Sequence, residues 1–264
     1  MDKGSLIAIA FCMMLFTACS EDYESTSVPM EPPLDLSLVS FVEPCKTDST
    51  DTCLYGMVTD DRDGKTYKTV EIGNQVWMAE NLNYETPGSF CYNDSPKECE
   101  TFGRLYWWAA AMDTEGKWSP NGKYCDYGHV CEPVYPLRGV CPAGWHLPTY
   151  NEWRTLLGAV GGVEKENAPY IVQNAGNSLR STHEWAYTRG VDSYGFNVLP
   201  AGYRAFQDEY GVIYFNEYLY TYFWTSTQNE MYWAMMLEFS CDNGNAKAGS
   251  WYRHFALSVR CVKD

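Results

Sequence analysis

The chain reads as an α+β domain: loop-rich, with short strands and two main helices, stapled by disulfides. Three observations point there. Aromatic and β-branched runs broken by Gly, Asn and Asp fill the last third, Phe196 to Val262. Only two stretches carry helical spacing. Eleven cysteines occur with no C-x-x-C pair among them, which suits disulfides in an oxidising compartment better than a zinc site.

The bulk numbers bound the rest. With 264 residues, 45% of them hydrophobic and 16% aromatic, the chain can bury the core of one domain of about 200 residues beside an export segment and a tether. The net charge of -15 is unchanged when residues 1–18 are removed, because Asp2 and Lys3 cancel. Such a surface repels nucleic acid and anionic lipid and tolerates neutral polymers.

Residues 1–18 are expected to be a signal peptide. The apolar run Leu6 to Phe16 is too short to span a bilayer. It ends in LFTAC, which resembles a lipobox, so Cys19 is the expected lipidation site, although Phe16 stands where Leu is usual. An ordinary cleaved signal peptide with a chance cysteine is the alternative. Ser20-Glu21-Asp22 resembles the acidic surface-export signal of outer-membrane lipoproteins. Outer-membrane attachment facing outward is therefore expected, with a periplasm-facing position as the alternative. Multiple acyl chains would make the anchor stable. Residues 19–55, rich in Ser, Thr, Asp, Glu and Pro, read as a flexible tether.

The globular part is expected to start near Gly56. Turns at Asp63-Gly64 and Gly73-Asn74 separate short strands. The acidic DDRDG invites a calcium reading, but Thr59 breaks the loop spacing and Val70 falls where the bidentate glutamate belongs. No cofactor is expected; calcium has no supporting motif. Tyr106 to Met112 (YWWAAAM) is one helix candidate. Asn151 to Val160 is the other, with Trp153, Leu156, Leu157 and Val160 at i, i+3, i+4 and i+7. Thr149 and Glu152 are spaced as a capping box, and His146-Leu147-Pro148 should arrive extended.

The order of motifs now matches a known family. DGKTYKTVEIGNQVWMAENLNY, FCYND, GRLYWWAAAM, CPAGWHLPTYNEW, YGFNVLPAGYR, FWTST and SVRCVKD together resemble the Fibrobacter succinogenes major paralogous domain over residues 56–264. Its proteins are typically exported, often as lipoproteins. The resemblance implies a distant relation to the formylglycine-generating-enzyme fold, itself C-type-lectin-like. HLPTYNEW is similar to the RLPTEAEW helix start of that superfamily, and SVRCV to its GFRC ending. The family brings no catalytic residues to carry over. The superfamily's copper-binding cysteine pair would fall in AGSWYRHFALSVRC, where Ser250, Trp251 and Tyr252 stand. Its iron enzymes need three facial histidines, and His129, His146, His183 and His254 show no i, i+3 or i, i+4 partner. No catalytic residue and no metal ligand is therefore expected. Glu152 and Glu184 lie beside Trp153 and Trp185, a sugar-site flavour, but a helix cap and a polar turn account for them.

The expected pairings are Cys45–Cys53, Cys91–Cys99, Cys125–Cys131 and Cys141–Cys261, although spacing leaves connectivity open. Cys12 leaves with the signal peptide and Cys241 is the odd thiol, either buried or an intermolecular partner. The leading functional expectation is a non-enzymatic cell-surface binding or adhesion lipoprotein for polysaccharide. Tyr and Trp faces stack on sugar rings. The candidate ligand residues are Tyr210, Tyr214, Tyr218, Tyr220 and Tyr222 in one stretch, and Tyr232 and Trp233 in another. Cross-strand packing is the competing account of these rings. The alternatives are an envelope protein making protein–protein contacts and a divergent oxidase or carbohydrate-active enzyme.

Overall fold

Left-handed Gly64 (φ 75°) and Gly73 (φ 65°) occupy the two tight turns that fold residues 55–78 into a meander. The computed structural model describes residues 34–207 and 211–264. The meander strands are β1 (Tyr55–Thr59), β2 (Thr66–Ile72) and β3 (Gln75–Met78). Two short pieces complete this sheet in the order β1-β2-β3-β15-β6: β6 (Trp145–His146) and the C-terminal β15 (Val262–Lys263). Asp60 starts the first turn, and its carboxylate is held by Arg62 at 2.6–2.8 Å.

The larger sheet contains β4 (Ser89–Phe90), β5 (Leu105–Trp107), β7 (Val163–Lys165), β8 (Ala168–Gln173), β9 (Ala201–Gln207) and β10 (Gly211–Glu217). It continues with β11 (Tyr220–Gln228), β12 (Trp233–Ser240), β13 (Ala246–Tyr252) and β14 (Ala256–Ser258). Their order is β4-β5-β14-β9-β11-β12-β13-β8-β7, with β10 paired to β9. Four α-helices accompany the two sheets among the described residues: α1 (Pro96–Phe102), α2 (Trp108–Met112), α3 (Tyr150–Ala159) and α4 (Ala175–Leu179). The protein is thus sheet-rich α+β with long loops.

Helix α3 begins with the capping box: Thr149 Oγ1 accepts from Glu152 N at 3.1 Å, and Glu152 Oε2 accepts from Thr149 N at 2.7 Å. Its apolar stripe is fully inside. Trp153 lies 4.7 Å from Trp77 and 5.2 Å from Phe223, ring to ring, joining the two sheets through one helix. A second core forms around Trp108 of α2, Trp224 and Leu257. There the indole N–H of Trp108 donates to the Thr225 carbonyl (2.9 Å), and that of Trp224 to the Tyr106 carbonyl (2.8 Å).

Three expectations need correction. YWWAAAM is not one helix: Tyr106 and Trp107 belong to β5, and α2 starts at Trp108. Helices α1 and α4 were not foreseen; seven and five residues long, neither is long enough to display a periodic stripe. The part of the expected tether that is described, residues 34–55, lies along the body. Leu36 is buried in the α3 core, Val42 N donates to Ala159 O (2.8 Å), Arg154 Nε to Leu34 O (2.7 Å), and Lys46 pairs with Asp192. Polar composition hid this because the contacts are made mostly by backbone. Residues 1–18 and Cys19 lie outside the described residues. Among the described residues no helix is long and apolar enough to cross a membrane.

Candidate functional site: an aromatic band across the sheet

Strand alternation sorts the larger sheet into two faces. Phe223 points at α3, so its neighbours Tyr222 and Trp224 point the other way. On that second face Glu238 stands opposite Tyr222, Lys247 opposite Glu238, and Trp251 opposite Ala234. Tyr203 of β9 stands opposite Phe215 of β10, their rings stacked at 5.1 Å. Small residues give Trp251 room to lean across β12, and a side chain at Gly249 would come within 2.8 Å of Met236. Trp251 therefore reaches Tyr222 at 4.3 Å and Tyr203 at 4.8 Å.

The rings continue in both directions. Tyr220 stacks on Tyr222 at 6.0 Å. On the other side Trp251 meets Phe255 (5.6 Å), Phe255 meets His254 (4.9 Å), His254 meets Tyr127 (5.4 Å), and Tyr127 meets Tyr232 (4.9 Å). Trp233 and Tyr252 stack beside this path at 3.9 Å. The band is core-like in its middle and open at one end: Tyr222 is 3% exposed, whereas Tyr127, Tyr252 and Tyr232 are 45%, 38% and 37% exposed.

Arg253 fixes the open end. It is buried, stacked 4.2 Å above Trp108, and donates to the carbonyls of Asp126 (2.9 Å), His129 (2.8 Å), Glu230 (2.5 Å) and Trp233 (3.3 Å). One guanidinium thus ties the Cys125–Cys131 loop, which carries Tyr127, to the β11–β12 loop, which carries Tyr232. Burial lowers its pKa to about 10, so it remains a cation at neutral pH. Cys131 N also donates to Gln228 Oε1 at 3.1 Å.

The band carries carboxylates beside its rings. Burial pushes Glu238 up, against the pull of Lys247 at 3.7 Å. Burial and a contact with Glu98 push Glu217 up to about 7. A hydrogen bond to Asp242, with burial, raises Tyr220 to about 12, and burial raises Tyr203 and Tyr222. These hydroxyls are neutral donors and acceptors at physiological pH.

The residues proposed from sequence are divided. Tyr220 and Tyr222 lie in the band, and Tyr232 and Trp233 at its open end. Tyr214 points to the opposite face of β10, where its hydroxyl donates to Asp94 (2.6 Å) and its ring lies 5.1 Å from Tyr92. Tyr218 packs 5.7 Å from Phe102 in the turn before β11. Tyr210 lies outside the described residues. Residues 211–217 form β10, the antiparallel partner of β9, and residues 220–228 form β11, the antiparallel partner of β12, because their aromatic and β-branched residues alternate and pair. Sequence reading missed Tyr203, Phe215, Trp251, Phe255, Tyr127, Tyr252 and His254. The alternation in β13 was a usable signal for Trp251; nothing local marks the others.

The four disulfides are Cys45–Cys53, Cys91–Cys99, Cys125–Cys131 and Cys141–Cys261, with Cα separations of 4.8, 4.9, 5.0 and 6.0 Å. Cys241 is a buried thiol. His146 is enclosed between Glu152 (Nε2 to Oε1, 2.7 Å) and Asp264 (Nδ1 to Oδ1, 2.8 Å). Glu184 is exposed and has a positive φ of 68°. Among the described residues no three His, Cys, Asp or Glu side chains converge as metal ligands.

A disulfide-pinned α+β domain with an aromatic sheet face is therefore the class that fold and site define. A model of the Fibrobacter succinogenes major domain matches residues 70–263, and the chain belongs to that family. No curated protein and no solved structure matches it. Strand β1 and the packed segment before it precede the matched region.

Proposed function

We propose that the protein is a non-enzymatic cell-surface lipoprotein, anchored through Cys19, that acts as a binding or adhesion module for polysaccharide. The observation that carries this reading is the aromatic band, which opens to solvent at Tyr127, Tyr232 and Tyr252. Tyr127 and Tyr232, 4.9 Å apart, and Tyr252 beside them offer exposed apolar faces to sugar rings, and hydroxyls and amides nearby can serve the sugar hydroxyls. The finer fold reading, C-type-lectin-like and akin to the formylglycine-generating enzyme, is part of the same proposal. It is supported by the HLPTYNEW start of α3 and by the C-terminal strand disulfide-linked beside it. The positions matching that enzyme's cysteine pair hold Ser250, Trp251 and Tyr252, and here Trp251 serves the band.

The test is retention of the full-length, oxidised chain on an array of glycans and plant polysaccharides. Replacing Tyr127 and Tyr252 together by Ala should weaken retention about tenfold or more, with the melting temperature little changed. If the folded wild type is retained by no polymer, the proposal is wrong. A second reading, an envelope protein making protein contacts, is favoured by the apolar exposure of Tyr124 (76%) and Val134 (61%) around the Cys125–Cys131 loop. Stoichiometric co-purified partners without glycan affinity would establish it.

A further inference from the structure

A cavity of about 370 Å³ lies between α4 and the β12–β13 turn, within the range of roughly 300–1,000 Å³ usual for small-molecule sites. Its walls are polar: Asn174 and Asn177 on the α4 side, Thr188, and Asp242 and Asn243 of the turn, with Arg180 among them. Arg180 is 1% exposed. Its Nη1 donates to the carbonyls of Thr188 (3.0 Å) and Ser240 (2.6 Å), while its Nε finds no acceptor among the described residues. That nitrogen is sealed from solvent, so an occupant of the cavity would be held by the wall groups that stand open, Asp242 and Asn243.

Two features define that occupant. Arg180 and Asp242 balance each other in charge, so the cavity itself is neutral while the protein around it is strongly acidic; an anionic ligand gains little. Amide, hydroxyl and carboxylate groups together both donate and accept, which matches groups that do both, namely sugar hydroxyls. Asp242 on its rim accepts a hydrogen bond from the Tyr220 hydroxyl.

We propose that this cavity is a subsite for one neutral sugar ring. The assignment rests on the polysaccharide-binding reading above. Asp242 and Asn243 hold the ring's hydroxyls, and Tyr220 positions Asp242.

Calorimetric titration of the full-length chain with methyl glycosides of glucose, mannose, galactose and xylose, and with glucuronate and galacturonate, tests it. At least one neutral glycoside should bind, and Asp242→Ala and Asn243→Ala should each weaken it about three- to tenfold. Both residues are exposed, so folding is little at risk; Asp242→Asn, which keeps the shape and removes the charge, should fall between. Equal affinity in the Ala variants overturns the subsite, and preference for the uronates overturns its neutral specificity. Retention of the wild type on polymers with no methyl glycoside bound overturns the subsite while leaving the binding-module reading intact. No retention on any polymer overturns that reading, and the subsite with it.

Discussion

Buried charges in this protein hold loops in place. Arg260 is fully buried, stacks 4.5 Å over Phe196, and donates to Asn81 Oδ1 (2.9 Å) and to the carbonyls of Phe196 and Asn197. Arg253 and Arg180 do the same elsewhere, because irregular backbone leaves carbonyls that helices and ladders do not satisfy. His146 is the titrating counterpart. Burial alone would lower its pKa, but Glu152 and Asp264 hold it above 6.5, and the same contact with His146, with Thr149, keeps Glu152 below its usual value despite burial. The raised histidine contributes stability that is full below the unfolded pKa of about 6.5 and disappears as pH rises through the folded value. Glu152 contributes above about 4.5 and loses its part as pH falls. The clasp is thus strongest near pH 5–6, roughly. Wild type should exceed His146→Asn in melting temperature by more at pH 6 than at pH 8; an equal gap at both would remove the argument. The Thr149–Glu152 link was legible from spacing. Asp264 was not, since it lies 118 residues from His146.

At the scale of elements, period decided what could be read. Helix α3 was legible because ten residues display a full stripe, and the β1–β2–β3 meander because its turns carry Gly at left-handed positions. Helices α1 and α4 and the strand partners of β10 and β11 were not: short helices have no period, and a run dense in Tyr reads equally as loop or strand. The seating of residues 34–42 was also hidden. It depends on Gly158, where a Cβ would sit 2.8 Å from Val39 Cβ. Gly158→Leu should displace that segment at a cost of about 1–3 kcal/mol, seen as faster protease cleavage within residues 34–45 and a lower melting temperature. Unchanged cleavage would show that the seating does not depend on this contact. Pairing Gly158→Ala with Val39→Ala should restore much of the loss.

For the whole molecule, the long disulfide is the main covalent constraint. Cys141–Cys261 closes a loop of 120 residues and binds the approach to α3 to the last strand, whereas Cys125–Cys131, with a separation of 6, mainly shapes a surface loop. Replacing Cys141 and Cys261 by Ser should lower the unfolding free energy by about 2–5 kcal/mol, measured by urea titration, and the Cys125–Cys131 double variant should lose less. The reverse order would contradict the role assigned to the long loop. By itself the sequence determined the loop-rich α+β class, the family and the capped helix, because each is written in local composition, spacing and motif order. Only the tertiary structure decided that Tyr203 of β9, Tyr222 of β11 and Trp251 of β13 meet in one band, and that Asn177 and Asp242 share a cavity. Those neighbours are set by strand order and register, which no local stretch of the chain encodes.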